Sequence, residues 1–336
     1  MRAVQLRAFK HPIELTEVAM PGDLGPRDIL IEVASSGVCH KDVLIVEGFQ
    51  PRVGLPRTLG HEVAGRVQAV GSQVSDLRPG DRVCSLGYVS CRTCPACVAG
   101  NEHLCRNRLW LGEEIDGGYA QYVRVAADSV ATIPGNVSDD DAALATCVLG
   151  TIVHGLGRLG QLKAGQTVLV TGAAGAVGSN AVLIAKAMGA KVIATDIPDK
   201  VERIAGADVA LPFGDDLAAR IKKATGGGAD VVVEAVGTPT IDQSLRAVNW
   251  GGRIIVIGNV RPGETLPLPL GTIIMREVSI HGSMNATRAD LVDALRLLAD
   301  GGLKPAPATV LPLAEAQHAH DLLRQKRSVG KIVLKP

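Results

Sequence analysis

One segment limits the possible folds of this 336-residue chain more than any other, because it joins an apolar strand pattern to a glycine-rich turn and a helical pattern. It runs from Val168 to Gly178 and reads Val-Leu-Val-Thr-Gly-Ala-Ala-Gly-Ala-Val-Gly. In this context Gly175 can let the backbone approach a pyrophosphate, and Gly178 can let the helix pack closely on the strand. Ala173 occupies the place of the first glycine, so the pattern is a degenerate form. We predict a phosphate-binding turn at a helix N-terminus, formed by Gly172, Gly175, Ala176, Val177 and Gly178.

An acidic residue supports this interpretation. Asp196 lies eighteen residues after Gly178, at the end of the next predicted strand, Lys191–Asp196. A carboxylate there can accept hydrogen bonds from ribose hydroxyls and would repel a 2′-phosphate, so it favours NAD over NADP. Lys200 and Arg203 follow closely and would weaken that preference. The alternative is a strand–helix turn that binds no nucleotide.

Two domains are expected, since 336 residues exceed what one hydrophobic core usually supports. Residues 1–150 contain short β-branched segments without long helical patterns, which predict a mainly β, barrel-like domain. Residues 151–285 alternate short apolar strands with helical patterns, which predicts a doubly wound parallel sheet of the Rossmann type. Residues 286–336 contain one amphipathic helix and a final strand and are expected to return to the first domain. The fold class is therefore α/β.

The composition excludes several classes of partner. The net charge is +1, from 35 basic and 34 acidic residues, so neither a nucleic acid nor an anionic membrane is expected as a partner. No apolar run reaches the roughly 18 to 20 residues that span a bilayer, and the start of the chain lacks the apolar core of a signal peptide. We therefore expect a cytoplasmic protein whose seven cysteines serve metal or catalytic roles and not a disulfide framework.

Four cysteines lie close together within residues 85–110, in the pattern Cys91-x2-Cys94-x2-Cys97-x7-Cys105. Zn²⁺ needs four soft donors in a closed tetrahedron, and these spacings supply them from a short stretch of chain. An iron–sulfur cluster is the main rival, but the seven-residue gap does not match ferredoxin spacing. We interpret this segment as a structural zinc lobe that stabilises its loop and performs no chemistry.

Three further candidate metal ligands are scattered along the first 150 residues. Cys39 lies in a Gly-Val-Cys-His-Lys-Asp sequence, His61 in Leu-Gly-His-Glu, and Cys147 in Ala-Thr-Cys-Val-Leu-Gly. Two cysteines and one histidine form the three-ligand set that leaves the fourth position of zinc open for water or substrate. Each ligand taken alone is a weak signal, because lone cysteines are commonly inert core residues. Spacing alone leaves both interpretations open.

The order of these motifs resembles that of the zinc-dependent medium-chain alcohol dehydrogenases, across essentially the whole chain. The turn at Gly172–Gly178 and the segment Gly282–Asp290 look like those of the yeast-type tetrameric members. The resemblance implies a GroES-like catalytic domain and a Rossmann domain. It also implies one catalytic and one structural Zn²⁺ per chain, NAD as the cofactor, and a homotetramer or homodimer.

The same resemblance assigns roles to single residues. Cys39, His61 and Cys147 match the catalytic-zinc positions, and the four clustered cysteines match the structural site. Asp42 and Glu62 match acids beside the metal that orient the histidine, and Glu62 is also a potential ligand. The cofactor positions are matched by His40 at the pyrophosphate, by Thr151, Ile257, Gly258 and Asn259 beside the nicotinamide, and by Val236 and Lys331.

One departure from the family concerns proton transfer. The family usually carries Ser or Thr two residues after the first zinc cysteine, where its hydroxyl passes the alcohol proton toward solvent, but this chain has Lys41. A lysine with a pKa lowered by burial can shuttle protons. Its ammonium can instead stabilise negative charge on a carbonyl or thioester oxygen. The remaining alternative is a surface lysine turned away from the metal.

We therefore expect a zinc-dependent alcohol dehydrogenase that transfers hydride between a primary or secondary alcohol and NAD. The alternative is an enoyl-CoA or acryloyl-CoA reductase of the same superfamily that uses NAD(P)H, because segments 48–52, 236–240 and 257–260 resemble archaeal acryloyl-CoA reductases. A third alternative is a nucleotide-binding protein without enzymatic activity. The predicted catalytic residues are Cys39, His61, Cys147, Lys41, Asp42 and Glu62.

Overall fold

The computed structural model describes residues 1–50, 52–259, 263–305, 309–325, 327–328 and 330–336. The chain divides into two compact units. The first unit contains Met1–Gly150, Asn285–Ala299 and Pro307–Pro336, and the second contains Thr151–Met284 and Asp300–Ala306. The segment after residue 285, which the sequence assigns as a whole to the first domain, therefore contributes a short stretch to the second unit.

Strands and helices are numbered in chain order within the described residues. The strands are β1 (Arg2–Leu6), β2 (Glu14–Glu17), β3 (Asp28–Val38), β4 (Arg57–Thr58), β5 (Glu62–Val70), β6 (Arg82–Ser85), β7 (Tyr88–Val89), β8 (Leu109–Trp110), β9 (Tyr122–Ala126), β10 (Val130–Thr132), β11 (Thr167–Thr171), β12 (Lys191–Asp196), β13 (Val209–Pro212), β14 (Ala229–Glu234), β15 (Val248–Val256), β16 (Ser279–Gly282), β17 (Thr309–Pro312) and β18 (Ile332–Lys335). The α-helices are α1 (His40–Val46), α2 (Pro95–Val98), α3 (Asp139–Leu144), α4 (Gly150–Val153), α5 (Ala176–Ala187), α6 (Leu217–Thr225), α7 (Ile241–Ala247), α8 (Leu270–Arg276), α9 (Arg288–Ala299) and α10 (Ala316–Arg324).

The first unit consists mainly of β-structure. Its largest sheet has the order β10-β6-β5-β3-β18-β17, and β9 also pairs with β3. The pairs are antiparallel except for β17 and β18. Alternate residues of β3, namely Ile29, Ile31 and Val33, are buried in one apolar cluster, as expected for strands that face a core on one side. Strands β7 and β8 pair at the base of the four-cysteine segment.

The second unit contains a six-stranded parallel sheet with the order β13-β12-β11-β14-β15-β16. This order reverses direction between β11 and β14, which is where doubly wound sheets bind ligands at the carboxyl ends of their strands. Val231, Val232 and Val233 of β14 are all fully buried, so the strand has no polar face and reads as a continuous apolar run. The α/β fold class predicted from the sequence is confirmed.

One helical run was not predicted. Residues 139–159 form α3, a π turn at Ala145–Leu149, α4 and a second π turn at His154–Leu159. The run has the length and apolar composition of a bilayer-spanning helix, yet 72% of its most apolar stretch is buried inside the protein, as in a core helix. Because the run is apolar on nearly all sides, it shows none of the amphipathic periodicity that identifies a surface helix in a sequence.

Candidate active site and cofactor site

Four side chains that can bind a metal come together in the first unit. The ligand atoms of Cys39, His61, Glu62 and Cys147 all lie within 4.8 Å of one another, and His61 and Glu62 are buried. Cys39, the adjacent pair His61 and Glu62, and Cys147 are far apart in the sequence, so only the fold brings them together. Two thiols, an imidazole and a carboxylate are donors that Zn²⁺ prefers.

Helix boundaries and a π turn place the two thiols. Cys39 is the residue before α1, and the Asp42 carboxylate accepts a hydrogen bond of 2.9 Å from the Cys39 N–H, which fixes the start of that helix. Cys147 lies within the π turn Ala145–Leu149. A π turn adds a residue to one helical turn, so it changes the direction in which the side chains point, and such turns are frequent at functional sites.

Close strand packing places the other two ligands. His61 precedes β5 and Glu62 is its first residue, paired with Gly37 of β3. A Cβ atom on Gly37 would lie 2.0 Å from Glu62 Oε2, so a glycine is required for the carboxylate to occupy this position.

The imidazole of His61 is oriented by Asp42, with 3.0 Å between His61 Nδ1 and Asp42 Oδ1. Burial disfavours the charge on Asp42, but the neighbouring His61 outweighs it and holds the pKa of Asp42 below its ordinary value. Burial lowers the pKa of His61, whereas Asp42 raises it, to about 10. Nδ1 therefore donates to the carboxylate. The buried Nε2 has no hydrogen-bond partner among the described residues, as expected for a histidine whose second nitrogen is free to bind a metal.

The two thiols of the cluster share a proton. A hydrogen bond between Cys147 and Cys39 lowers the pKa of Cys39 well below its ordinary value, and the nearby Lys331 ammonium lowers it further. The same hydrogen bond, together with burial, raises the pKa of Cys147. Because metal ligands must be deprotonated, a divalent cation bound here would displace this proton.

A buried lysine lies beside the cluster. Lys331 Nζ donates a hydrogen bond of 2.6 Å to Glu62 Oε1, and both side chains are almost completely buried. Burial lowers the pKa of Lys331, but Glu62 outweighs it and raises that pKa above its ordinary value. Burial also raises the pKa of Glu62. The sequence assigns Lys331 to the cofactor, whereas in the structure its ammonium contacts the predicted metal site.

Two residues that are not among the predicted site residues lie behind Asp42. The Tyr119 hydroxyl donates a hydrogen bond of 2.9 Å to Asp42 Oδ2, and the Tyr119 ring contacts the ring of His320 edge to face at 6.0 Å. His320 is fully buried, and neither ring nitrogen has a hydrogen-bond partner in the described part of the chain. No motif marks either residue, because their roles depend on contacts across 77 or more positions of sequence.

Lys41 is held by two partners. Its Nζ lies 2.5 Å from Glu113 Oε1 and 3.9 Å from the centroid of the Trp110 ring. The Glu113 side chain is 5% exposed and that of Lys41 is 24% exposed, so this ion pair is largely protected from solvent. The Lys41 side chain is therefore fixed by Glu113 and Trp110.

The four cysteines of the second cluster also come together. Their Sγ atoms lie within 4.8 Å of one another, and the Sγ separations include 3.4 Å for Cys91–Cys105, 3.5 Å for Cys94–Cys97 and 4.0 Å for Cys91–Cys97. All four are free thiols. A tetrahedral Zn²⁺ with Zn–S bonds of about 2.3 Å requires sulfurs about 3.8 Å apart. The observed Sγ separations lie on both sides of this value. A multi-iron cluster would need a wider ring of sulfurs.

The predicted phosphate-binding turn lies at the carboxyl end of β11. Gly172 has a φ of +60°, which favours glycine, and a Cβ atom on Gly178 would lie 2.2 Å from the Gly172 carbonyl oxygen. Helix α5 begins at Ala176, so the first N–H groups of Ala176 and Val177 have no partner within the helix.

Asp196 is already bound to the glycine-rich turn. Its Oδ2 accepts a hydrogen bond of 2.9 Å from Ala174 N, and its Oδ1 accepts one of 2.8 Å from Ile197 N. A carboxylate oxygen can accept more than one hydrogen bond, so these contacts leave capacity for a ribose hydroxyl.

The remaining predicted cofactor residues lie in several places. Val236 follows β14, and Ile257, Gly258 and Asn259 follow β15, all at the carboxyl edge of the same sheet. Thr151 is buried at the start of the second unit, and His40 begins α1 in the first unit, where it is exposed.

The fold and the site define a class of protein, an oxidoreductase with a Rossmann-like domain and a GroES-like domain. A model of the alcohol dehydrogenase GroES-like domain matches residues 25–135, and a model of the zinc-binding dehydrogenases matches residues 176–300. The chain therefore belongs to the medium-chain dehydrogenase/reductase family.

Relatives within the family differ in activity. An acryloyl-coenzyme A reductase of Metallosphaera sedula is 39% identical over 336 residues, covering 99% of each chain. An alcohol dehydrogenase of Geobacillus stearothermophilus is 36% identical over 341 residues, covering 100% of this chain and 99% of the relative. The solved structure of an NAD-dependent alcohol dehydrogenase superimposes with a TM-score of 0.93 at 34% identity, covering both chains completely.

Proposed function

We propose that this protein is a zinc-dependent dehydrogenase that transfers hydride reversibly between a primary or secondary alcohol and NAD. The observation that carries the proposal is the cluster of Cys39, His61, Glu62 and Cys147, whose ligand atoms lie within 4.8 Å of one another. The 36% identity to an alcohol dehydrogenase over the full length supports it.

The donor set fits zinc. Cys39, His61 and Cys147 would hold the ion, because two sulfurs converge within 4.8 Å with Nε2 of His61, which makes no hydrogen bond among the described residues. A bound Zn²⁺ would supply Lewis acidity that stabilises negative charge on an alcohol or carbonyl oxygen. The four clustered cysteines would hold a second, structural Zn²⁺.

The protein's own residues prepare this site. Asp42 holds a proton at Nδ1 of His61, which directs Nε2 toward the cluster. Lys331 donates to Oε1 of Glu62 and neutralises a carboxylate that would otherwise be an unpaired buried charge. Because His61 and Glu62 are buried, electrostatic interactions on this side of the cluster are strengthened.

NAD is the proposed cofactor, and it would supply the hydride acceptor. Asp196 supports NAD over NADP, because its carboxylate lies at the glycine-rich turn, where a 2′-phosphate would be repelled.

A second candidate function is the reduction of an enoyl-CoA or acryloyl-CoA thioester. Lys41 favours it, because the family's proton-passing hydroxyl is replaced by an ammonium that Glu113 and Trp110 hold in place. Such a fixed positive charge can stabilise negative charge that develops on a thioester oxygen. The 39% identity to an acryloyl-coenzyme A reductase supports this second candidate function.

The decisive experiment compares substrates on one zinc-loaded preparation. NADH or NADPH oxidation is followed with acryloyl-CoA, and NAD reduction is followed with a panel of primary and secondary alcohols. We expect turnover with alcohols and loss of that turnover when a chelator removes zinc. Turnover of the CoA ester alone would replace the first candidate by the second. Binding of nucleotide with no turnover of either substrate class would support a protein without enzymatic activity.

We also propose that the chain forms a homodimer or homotetramer. Strand β16 is an edge of the parallel sheet and pairs only with β15 among the described strands. On α8, Leu270, Ile274 and Met275 have exposed fractions of 63%, 71% and 71%, so this helix carries apolar surface that a second copy could cover.

A cytoplasmic location is proposed because all seven cysteines are free thiols.

A further inference from the structure

Glu234 is a fully buried carboxylate at the end of β14 and is not among the predicted site residues. Both of its oxygens accept hydrogen bonds. The donors to Oε1 are Thr171 Oγ1 at 2.7 Å, Thr240 Oγ1 at 2.6 Å, Val236 N at 3.0 Å and Gly237 N at 2.9 Å, and the donor to Oε2 is Ser244 Oγ at 2.6 Å.

No cation pairs with this carboxylate within the residues that the structure describes. Its donors are three hydroxyls and two backbone N–H groups, and a backbone N–H can only donate. Five donors therefore replace the water that a buried carboxylate loses. A group of this kind is costly to bury unless it is fully hydrogen-bonded, so it constrains every segment that supplies a donor.

The constrained segments are the loops after three neighbouring strands. Thr171 is the last residue of β11 and directly precedes Gly172, whereas Val236 lies after β14. The backbone oxygen of Glu234 accepts hydrogen bonds from Ile257 N at 2.9 Å and from Gly258 N at 3.2 Å, after β15. In a sheet of this order, the loops at the carboxyl ends of these strands line the crevice that binds a dinucleotide.

Steric contacts leave these loops little freedom to move independently. A Cβ atom on Gly172 would lie 2.8 Å from Val236 Cγ2, and one on Gly258 would lie 2.0 Å from the Ala235 carbonyl oxygen. A shift of the loop after β14 would therefore displace both of its neighbours, because these backbones are already in close contact.

We infer that Glu234 is a positioning residue for the nicotinamide dinucleotide, which holds the three loops in the arrangement that receives the cofactor. Its carboxylate acts through Thr171 and Val236 on the loops after β11 and β14, whereas Ile257 and Gly258 are bound by its backbone oxygen. The side chain need not touch the cofactor itself. The inference rests on the proposed use of NAD.

The test is the variant Glu234→Gln, which keeps the size of the side chain but replaces one acceptor oxygen by an NH2 group that faces donors. We expect the dissociation constants of NAD and NADH to rise about tenfold or more, because the loops that receive the cofactor would lose charged hydrogen bonds that hold them in place. Calorimetry or quenching of protein fluorescence measures this without any substrate. At saturating NAD, kcat should stay within about threefold of the unmodified protein.

The matched control is Asp230→Asn at the opposite end of β14. Asp230 Oδ2 accepts a hydrogen bond of 2.8 Å from Thr167 N, far along the strand from the loops. We expect this variant to lower the melting temperature and leave the NAD dissociation constant unchanged. If Glu234→Gln lowers the melting temperature but binds NAD as tightly as the unmodified protein, the carboxylate is only structural and the inference is wrong.

A milder variant covers the case in which Glu234→Gln does not fold. Thr240→Val removes a single donor to Oε1 and should raise the NAD dissociation constant about two- to fivefold. Unchanged NAD binding in Thr240→Val would then overturn the inference. If the unmodified protein binds neither NAD nor NADP, the proposed cofactor is wrong and the inference fails with it. That result differs from loss of NAD binding in the variants alone, which would support the inference.

Discussion

The Asp42 carboxylate connects the metal cluster to the interior of the first unit. It accepts hydrogen bonds from His61, from the Cys39 backbone and from the Tyr119 hydroxyl, so three groups determine where its oxygens lie. Tyr119 acts on the cluster through its hydrogen bond to Asp42, and His320 packs against the Tyr119 ring. Groups of this kind commonly tune metal affinity as strongly as some ligands do.

Tyr119→Phe tests this connection, because it removes one donor to Asp42 and leaves the ring in place. We expect the affinity of the Cys39–His61–Cys147 site for Zn²⁺ to fall about tenfold, measured by competition with a chromophoric chelator. Tyr88→Phe is the matched control, since the Tyr88 hydroxyl is also buried but donates to the Ala286 carbonyl oxygen. Equal zinc affinity in both variants would show that Tyr119 does not act through Asp42.

His320 predicts a dependence of stability on pH. Burial lowers its pKa to about 4, and Arg324 lowers it too, against the opposing effects of Asp42 and Asp321. Between an unfolded pKa of about 6.5 and the folded value, only the unfolded chain binds this proton. Its contribution to stability is therefore present at neutral pH and is lost as the pH falls through this range, by about 1 kcal/mol at about pH 5.5.

The variant His320→Leu should therefore lose less stability than the unmodified protein when the pH falls from about 7.5 to about 5.5. Denaturant unfolding at both pH values measures the difference. His318→Leu, on the exposed side of the same helix α10, should keep the full sensitivity to acid. A loss of stability that is the same in both variants would contradict the assignment to His320.

At the scale of secondary-structure elements, the four-cysteine lobe supports the helix that returns to the first unit. The lobe leaves the sheet between β7 and β8, and its residue Glu102 accepts a hydrogen bond of 2.7 Å from Arg288 N at the start of α9. Tyr88 on β7 donates to the Ala286 carbonyl oxygen just before the same helix. Loss of order in the lobe should therefore loosen the start of α9.

Cys97→Ser should remove the structural Zn²⁺ and lower the zinc content from two ions to one per chain, because a hydroxyl is a poorer zinc donor than a thiolate. We expect a lower melting temperature and faster proteolysis near α9, measured by metal analysis, calorimetry and limited proteolysis. Cys84→Ala is the control, since Cys84 is buried outside both clusters. Two zinc ions in Cys97→Ser would contradict the role of the lobe.

At the scale of the whole molecule, the second unit leaves an apolar surface uncovered. Ile274 and Met275 on α8 are mostly exposed, and Trp250 on β15 has an exposed fraction of 72%. Exposing such apolar side chains to water is unfavourable for a single chain. A two-fold interface would bury the same side chains of both copies.

The double variant Ile274→Glu with Met275→Glu should shift the protein toward monomers, because it would place four carboxylates in a two-fold interface. Light scattering coupled to size-exclusion chromatography measures the mass. Leu104→Glu, which changes an exposed apolar residue of the first unit, should leave the mass unchanged. A multimer that persists in the double variant would place the interface elsewhere.

Local sequence patterns determine much of this protein's fold and of its candidate sites. The strand, turn and helix around Gly172–Gly178 and the spacing of the four cysteines are encoded within short segments, because backbone geometry and tetrahedral coordination both act over a few residues. The family order of Cys39, His61 and Cys147 indicated a second metal site, but spacing alone left it open.

Only the tertiary structure decided which distant groups meet. The pairing of Lys331 with Glu62, the capture of Lys41 by Glu113 and Trp110, and the five donors around Glu234 join residues from separate strands and loops. The largely buried helical run at residues 139–159 was hidden for a related reason, since a helix that is apolar on nearly all sides has no polar face to mark its period. Such contacts arise from packing, which one-dimensional periodicity does not record.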